Sequence, residues 1–264
     1  MQSGVIKDIL TSEEHSVFFY LLLLVLVLGV LQALVIGGLF FFKRSGDKRS
    51  NAFFGLLLIT FGLTVLHYIL IFLNVFDRFP RLHFLPIYYT LSFPTLLFYH
   101  IKLNLYPAYR LRATDVKHFI LPIGQLSFFL TLFFSAVDYK SQIGRYFYNP
   151  FYGAFEQALY LTTFYAYMYF AWRYVRQKKH HIQSRGEARK VWYSEKLLQI
   201  LFLLFVIHTI FVLGDFISYE FLHINLRTVK PYAALGVLSF VALLFWLGTY
   251  GFQVLLWGRK VFRS

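Results

Sequence analysis

The sequence contains no cysteine and little charge. Without cysteine, the chain forms no disulfide, no thiolate metal site and no cysteine nucleophile. Charged residues make up 14% of the 264 residues and hydrophobic residues 58%, whereas ordinary soluble domains contain roughly a quarter charged residues. This composition excludes a typical water-soluble domain and indicates that much of the chain lies in a membrane.

Long apolar runs are what the sequence has in abundance. Seven blocks approach or exceed the length of a helix that crosses a bilayer, about 20 residues. We predict an all-α fold, a polytopic bundle of seven transmembrane helices forming one domain over residues 1–264. The opening "MQSGVIKDILTSEEHS" has no basic region or small-residue cleavage site, so the first block is expected to be a retained span. The predicted helices are approximately 16–42, 53–75, 83–105, 119–137, 154–175, 197–219 and 233–257.

The formal charge of +14 is distributed unevenly along the chain. The connections on one side of the predicted bundle hold 18 lysines and arginines, and those on the other side hold 7. Because cytoplasmic loops of membrane proteins are enriched in these residues, we expect the N-terminus outside and the C-terminus in the cytoplasm, in the inner membrane. Nucleic-acid binding is not expected, since no recognised DNA- or RNA-binding module accompanies the charge.

The most basic segment, "RYVRQKKHHIQSRGEARKVWYSEK", is predicted to be the third cytoplasmic loop. One interpretation is an orientation signal whose charges are simply solvated. The other is a docking surface for an acidic protein partner or for anionic lipid of the bilayer. The candidate partner-binding residues are Lys178, Lys179, Arg185, Arg189 and Lys190.

Polar residues recur at helical spacing in the second, third, fifth and sixth blocks. Ionisable side chains are costly in hydrocarbon, so they are expected to face the interior of the bundle and find partners there. With the predicted orientation, most of them map to the middle and outer half of the membrane. The candidate ligand-binding residues are His67, Asn74, Tyr88, Tyr99, Glu156, Tyr160, His208 and Asp215.

Three interpretations of this polar set remain open. It can fix helix packing through interhelical hydrogen bonds. It can form a pocket for a lipid or small molecule, and an acidic pocket lined by aromatic rings suits an amphiphile with a cationic or hydroxylated head. It can also support metal binding or catalysis, although the spacing matches no known metal motif. We predict no catalytic residue, no metal site and no cofactor, and the seventh block has no lysine to carry a retinal Schiff base.

Small residues recur on one face of the first helix. Gly29, Ala33 and Gly37 are spaced four apart, which allows another helix to approach closely. This face serves either packing within the chain or the seam of a homodimer.

Two stretches resemble a known family. The first is "VLGVLQALVIGGLFFFKRSGDKRSNAFFGLLLITFGLTVLHYIL", with a Gly-x-x-Gln element and a basic turn, and the second is "YYTLSFPTLLFYHIKLNLYPAYRLRATDVKHFILP". Together they resemble the N-terminal membrane domain of bacterial membrane-anchored AraC-type transcription regulators, in which a seven-helix sensor precedes a helix-turn-helix domain. The chain departs from the family in having Phe93-Pro94 where Gly-Pro is frequent, and in ending at "GRKVFRS" without an output domain. The resemblance implies a sensor, but neither DNA binding nor ligand contacts carry over.

The sequence therefore favours a non-enzymatic membrane sensor or adaptor. It is expected to bind a small or lipidic signal in the outer polar pocket and to contact a cytoplasmic or membrane protein through its basic loops. One alternative is a structural subunit of a larger envelope complex. Another is an intramembrane enzyme or transporter that uses the His/Asp/Glu cluster, although no inverted repeat is visible.

Overall fold

The computed structural model describes residues 17–220, 222–224, 226 and 230–260. This part of the chain is helical and contains no strand, which confirms the all-α prediction. Short 3-10 helices cover Pro80–Leu82, Thr90–Ser92 and Ala113–Phe119, and Gly144–Tyr152 is π-helical. The α-helices are α1 Val17–Phe42, α2 Lys48–Phe72, α3 Val75–Arg78, α4 Phe93–Leu105, α5 Ile120–Phe133, α6 Val137–Ile143, α7 Gly153–Lys179, α8 Arg185–Glu220 and α9 Lys230–Lys260.

Five helical segments in the described residues are long and apolar enough to cross a membrane. They lie in α1, in α2, in α5 together with the 3-10 helix before it, in α8 and in α9. The outer face of α1 exposes large apolar side chains, with Leu21 at 56% and Val35 at 60% of their full accessibility. Exposed apolar surface on such long helices is suited to lipid. The chain thus has the helices of a multi-pass membrane protein.

The third predicted helix begins later than the sequence suggested. Residues 83–92 are mostly irregular, and α4 starts at Phe93 rather than at residue 83. Proline explains the difference: Pro94 lies in the first turn of α4, where its missing N–H costs no hydrogen bond. Pro86 lies in the irregular segment. A helix cannot continue smoothly through this position, because proline lacks the backbone N–H and its ring clashes with the preceding turn. The predicted boundary at residue 83 is therefore wrong.

Other boundaries differ because caps and charged extensions lie outside the apolar runs. Helix α2 begins at Lys48 because the Asp47 carboxylate accepts from the backbone N–H groups of Arg49 and Ser50, at 2.9 and 3.0 Å. Helices α7 and α8 extend past the predicted 154–175 and 197–219 to form a charged hairpin. Apolar runs mark only the membrane portion of such helices.

Six helices, α4 among them, contact one another in a closed ring. Helix α1 packs on α2, α2 on α4, α4 on α7, α7 on α8, α8 on α9, and α9 returns to α1. Every residue of α4 except Asn104 is buried. Protein therefore surrounds this short helix, and it forms the core of the bundle.

The small-residue face of α1 packs within the chain. A methyl group on Gly55 of α2 would lie 2.8 Å from the Gly37 carbonyl oxygen, and one on Gly62 would lie 3.0 Å from Ala33. Gly29 faces Val241 and Leu244 of α9. Of the two interpretations of this face, the structure supports packing between helices of the same chain.

Three basic connections meet at one end of the bundle. The Arg49 guanidinium, next to the α1–α2 turn, donates to the carbonyl oxygens of Pro107 and Tyr109, both at 2.7 Å. The Tyr106 hydroxyl donates to the Tyr174 carbonyl near the end of α7, at 3.4 Å. The α1–α2 turn, the α4–α5 connection and the α7–α8 turn thus form what we call the basic end.

Candidate functional site

Glu156 lies in the first turn of α7 and is only 2% exposed. Its Oε1 atom accepts a hydrogen bond from the side-chain amide of Gln125 in α5. Its Oε2 atom accepts a longer one, 3.4 Å, from the Tyr148 hydroxyl. Both donors are neutral. Each holds the buried carboxyl by a hydrogen bond, and neither forms an ion pair with it.

Gln125 fixes the orientation of this contact. Its Oε1 atom accepts from the backbone N–H of Leu91 at 3.1 Å, which turns its NH₂ group toward Glu156 and toward the Thr90 hydroxyl, also at 3.1 Å. The side chain is 1% exposed. One amide therefore joins α5 to α7 and to the turn that leads into α4.

Aromatic residues lie near Glu156, and Tyr88, Tyr148 and Tyr152 each interact with its carboxyl. The ring of Tyr88 lies 5.8 Å from Phe129, and Phe129 lies 6.2 Å from Tyr148, measured between centroids. Tyr152 lies 5.7 Å from Tyr148 on the same π-helical segment. We call Tyr88, Phe129, Tyr148 and Tyr152 the aromatic box. A π-helical segment is frequent at functional sites, and here it supplies two of the four rings.

Two further polar side chains near the box have unpaired atoms. The His67 ring lies 5.3 Å from Tyr88, and its Nδ1 atom is buried without a hydrogen-bond partner among the described residues. Tyr160 is 4% exposed, and its hydroxyl likewise lacks a partner in the described chain. His208, whose Nδ1 atom lies 3.0 Å from the Ser239 hydroxyl, has its ring 6.2 Å from Tyr160.

Five of the eight predicted ligand-binding residues thus lie close to one another. His67, Tyr88 and Glu156 line or adjoin the aromatic box, and Tyr160 and His208 lie beside them. Sequence reasoning missed Gln125 and Tyr148, which are the two side chains that hydrogen-bond Glu156 directly. Gln125 carried a signal, since it is the only amide side chain in "ILPIGQLSFFLTLF".

The other three predicted ligand-binding residues lie elsewhere. Asn74 is exposed in the turn after α2, where its φ of 53° is left-handed. Asp215 lies close to Tyr232, in the pairing of α8 with α9. The Tyr99 hydroxyl donates to Asp115 at 2.8 Å, nearer the basic end. The polar stripe of the third block therefore runs from the aromatic box into a second polar cluster.

This second cluster encloses a lysine, and we call it the lysine cage. The Lys102 ammonium lies 3.6 Å from the centroid of the Tyr109 ring and 5.4 Å from that of Tyr174. The Tyr109 hydroxyl contacts both carboxylate oxygens of Asp115, at 2.9 and 2.8 Å. Burial and this hydrogen bond to Asp115 both raise the pKa of Tyr109. The cage fastens the C-terminal part of α4 to the segment that leads into α5.

The predicted partner-binding residues divide into two groups. Lys178 pairs with Glu187 at 2.7 Å and Lys179 with Glu195 at 3.0 Å, so these two lysines tie α7 to α8. Arg185, Arg189 and Lys190 are exposed on the first turns of α8. Lys190 also borders a cleft of about 40 Å³ with Asn104, Leu105, Pro107, Lys178 and Glu187.

The described residues contain no group of three or more histidine and acidic side chains placed to hold a metal ion. No protein-family model, curated protein or solved structure matches the chain.

Proposed function

We propose that the chain is a seven-crossing protein of the cytoplasmic membrane, with its N-terminus outside, that acts as a non-enzymatic sensor or adaptor. The topology is supported by the basic end, where the connections after α1, α4 and α7 lie together. Positive charge gathered at one end of a bundle marks the cytoplasmic side of membrane proteins. The sensor modules of AraC-type regulators are the protein class that the sequence resembles.

Helices α4 and α7 complete the seven crossings in this proposal. Helix α7 has 27 residues, which is enough to span, and its low apolarity reflects the Tyr, Thr and Glu side chains that it turns to its neighbours. Helix α4 has 13 residues and crosses together with the irregular segment before it. Irregular backbone is tolerated at membrane depth where protein covers it, and residues 83–89 are half-buried and residues 90–92 buried.

The observation that carries the sensor proposal is the buried Glu156 carboxyl with only neutral donors, beside the unpaired Tyr160 hydroxyl and His67 nitrogen. Buried polar atoms without partners are rare and mark sites of function or of an unseen ligand. Ionisable groups within membrane segments are by default functional. We therefore assign these atoms the role of hydrogen-bonding a small or lipidic signal.

The proposed signal passes from this site to the basic end through α4. At one end of α4, Gln125 holds the preceding turn through the Leu91 N–H and the Thr90 hydroxyl. At the other end, the lysine cage ties Lys102 and Tyr99 to the α4–α5 connection. A shift of Gln125 on ligand binding therefore displaces α4, and the exposed Arg185, Arg189 and Lys190 present the response to an acidic partner.

A structural subunit of an envelope complex is the second candidate. The His208–Ser239 contact favours it, as does the hydrogen bond from the Tyr165 hydroxyl to the Thr209 hydroxyl at 2.9 Å, because both join two helices. Contacts of this kind fix helix packing without any ligand.

Native mass spectrometry of the gently solubilised protein tests the proposal. We expect a bound small molecule or lipid that is lost in Glu156→Gln, and a bound protein that is lost when Arg185, Arg189 and Lys190 are changed to Gln. The matched control changes Arg78 and Arg145, at the opposite end of the bundle, to Gln. We expect it to retain both the small molecule or lipid and the bound protein. A protein partner that persists with the basic substitutions, together with no ligand dependent on Glu156, would favour the structural subunit.

A further inference from the structure

The lysine cage and the aromatic box are built on the same plan. In the cage, the Asp115 carboxylate accepts from tyrosine hydroxyls, and aromatic rings surround the Lys102 ammonium next to it. In the box, the Glu156 carboxyl accepts from the Tyr148 hydroxyl, and the rings of Tyr88, Phe129, Tyr148 and Tyr152 lie next to one another in that order. In the described residues, an ammonium group lies over the rings of the first constellation, whereas the hydrogen-bond donors to Glu156 in the second are the neutral Gln125 amide and Tyr148 hydroxyl.

The lysine and the arginine that precede Tyr148 most closely in the chain are engaged elsewhere. Lys140, the preceding lysine in the chain, donates to the Arg81 carbonyl oxygen at 2.8 Å and lies over the Phe133 ring. Arg145 donates to the Ser141 hydroxyl at 3.0 Å. Glu156 is thus a buried carboxyl whose hydrogen-bond donors in the described chain are an amide and a phenol.

The chemistry of the box selects the kind of group that completes it. Aromatic faces attract cations through the negative charge on their π-systems, and a buried carboxylate needs an opposite charge. The Glu156 Oε2 atom has only the 3.4 Å contact to Tyr148, so it retains capacity to accept from a stronger donor. A neutral hydroxyl supplies a hydrogen bond but no charge, and an anion is repelled.

We infer that the aromatic box binds an organic ammonium group, a protonated amine, with Glu156 as its counter-ion. This inference rests on the proposed sensor function and names the class of its ligand. The amine N–H groups donate to Glu156, and the rings of Tyr88, Tyr148 and Tyr152 enclose the charge. Tyr160, one turn after Glu156 on α7, offers its unpaired hydroxyl to a further polar group of the same ligand.

The test compares hexylamine with 1-hexanol, which share a chain and differ in the charged group. Calorimetry with the full chain in nanodiscs measures both affinities. We expect saturable hexylamine binding that weakens by a factor of about 10 or more in Glu156→Gln, and no binding of 1-hexanol that depends on Glu156. Tyr148→Phe keeps the ring and is expected to retain the affinity to within a factor of about 3, whereas Tyr148→Leu loses it.

Circular dichroism and size-exclusion chromatography establish that each variant is folded before it is compared. Equal hexylamine affinity in the wild type and Glu156→Gln overturns the inference, as does a folded wild type that binds no hexylamine. Binding of 1-hexanol with the same dependence on Glu156 also overturns it, but leaves the proposed sensor with a hydroxylated ligand. Failure of the sensor itself is detected separately, by native mass spectrometry without added amine.

Discussion

Gln125 connects three parts of the chain through one side chain, which makes it the most informative single residue to change. In Gln125→Leu, the Leu91 N–H and the Glu156 carboxyl both lose a partner while they remain buried. A buried polar group without a partner costs about 1–3 kcal/mol. We therefore expect a clear fall in the midpoint of thermal unfolding, measured by circular dichroism in detergent.

Gln142, exposed in α6, provides the control for this prediction. Gln142→Leu makes the same chemical change where solvent reaches the side chain, and its midpoint is expected to stay near that of the wild type. A loss of the same size in both variants would contradict the role given to Gln125.

Lys43, at the basic end, gives a prediction about pH. Burial first, and then repulsion from Lys190, lower its pKa from 10.5 to about 8. Between these values the folded chain binds fewer protons at Lys43 than the unfolded chain does. Protonated Lys43 thus opposes folding below pH 8, and its contribution to stability improves as the pH rises through this window.

The rate at which Lys43 reacts with acetic anhydride, followed by peptide mass spectrometry across pH, reports its titration. We expect a midpoint near pH 8 in the wild type and a higher midpoint in Lys190→Gln, because that change removes the repulsion. Lys117→Gln removes an exposed lysine elsewhere and is expected to leave the midpoint unchanged. An unchanged midpoint in Lys190→Gln would show that the two ammonium groups do not interact.

Individual residues of the candidate site were predictable where helical spacing places them on one face of a helix. Glu156 and Tyr160 are one turn apart on α7, and the sequence placed them together for that reason. Tyr148 escaped prediction because it lies in a π-helical segment, where that spacing does not apply. Tyr99 was grouped with Tyr88 and Glu156 but lies in the lysine cage, because the polar stripe of the third block passes through two polar regions.

At the scale of elements, the contact between α1 and α2 depends on the absence of side chains. In Gly55→Ala, the new methyl group would lie 2.8 Å from the Gly37 carbonyl oxygen and 3.0 Å from the Phe41 ring, so the helices have to separate. Overpacking of this kind costs about 1–3 kcal/mol. We expect a lower resistance to unfolding by sodium dodecyl sulfate.

Gly38, one residue from Gly37, is the matched position. A methyl group there meets nothing within 4 Å, and replacing a helical glycine by alanine stabilises by roughly 0.5–1 kcal/mol. Gly38→Ala is therefore expected to resist the detergent as well as the wild type or better. Equal destabilisation of both variants would contradict the packing described for α1 and α2.

The elements themselves were largely predictable, because long apolar runs leave little choice but helix. The first and last residues of the helices were less predictable. Proline moved the start of α4 to Phe93, and the Asp47 cap moved the start of α2 to Lys48. Helices α7 and α8 continue beyond their apolar runs into a hairpin that ion pairs such as Lys178–Glu187 stabilise. A search for apolar residues does not detect these charged extensions.

At the scale of the whole molecule, the absence of cysteine makes the topology directly measurable. Each single-cysteine variant carries one reactive thiol and no background. We expect a membrane-impermeant maleimide to label Arg78→Cys and Gln142→Cys in intact cells. His181→Cys and Arg110→Cys are expected to react only after the membrane is permeabilised. Labelling of all four in intact cells, or the reverse pattern, would contradict the proposed orientation.

The burial of α4 has a consequence for how the protein is made. A helix of 13 residues that neighbouring helices enclose on every side has no surface of its own to offer to the acyl chains. Such a segment gains little by entering the bilayer alone during synthesis. In the proposed seven-crossing topology, we therefore expect insertion of Phe93–Leu105 to follow the synthesis of α7 and α8, which would make biogenesis of this protein a concerted event rather than a helix-by-helix one.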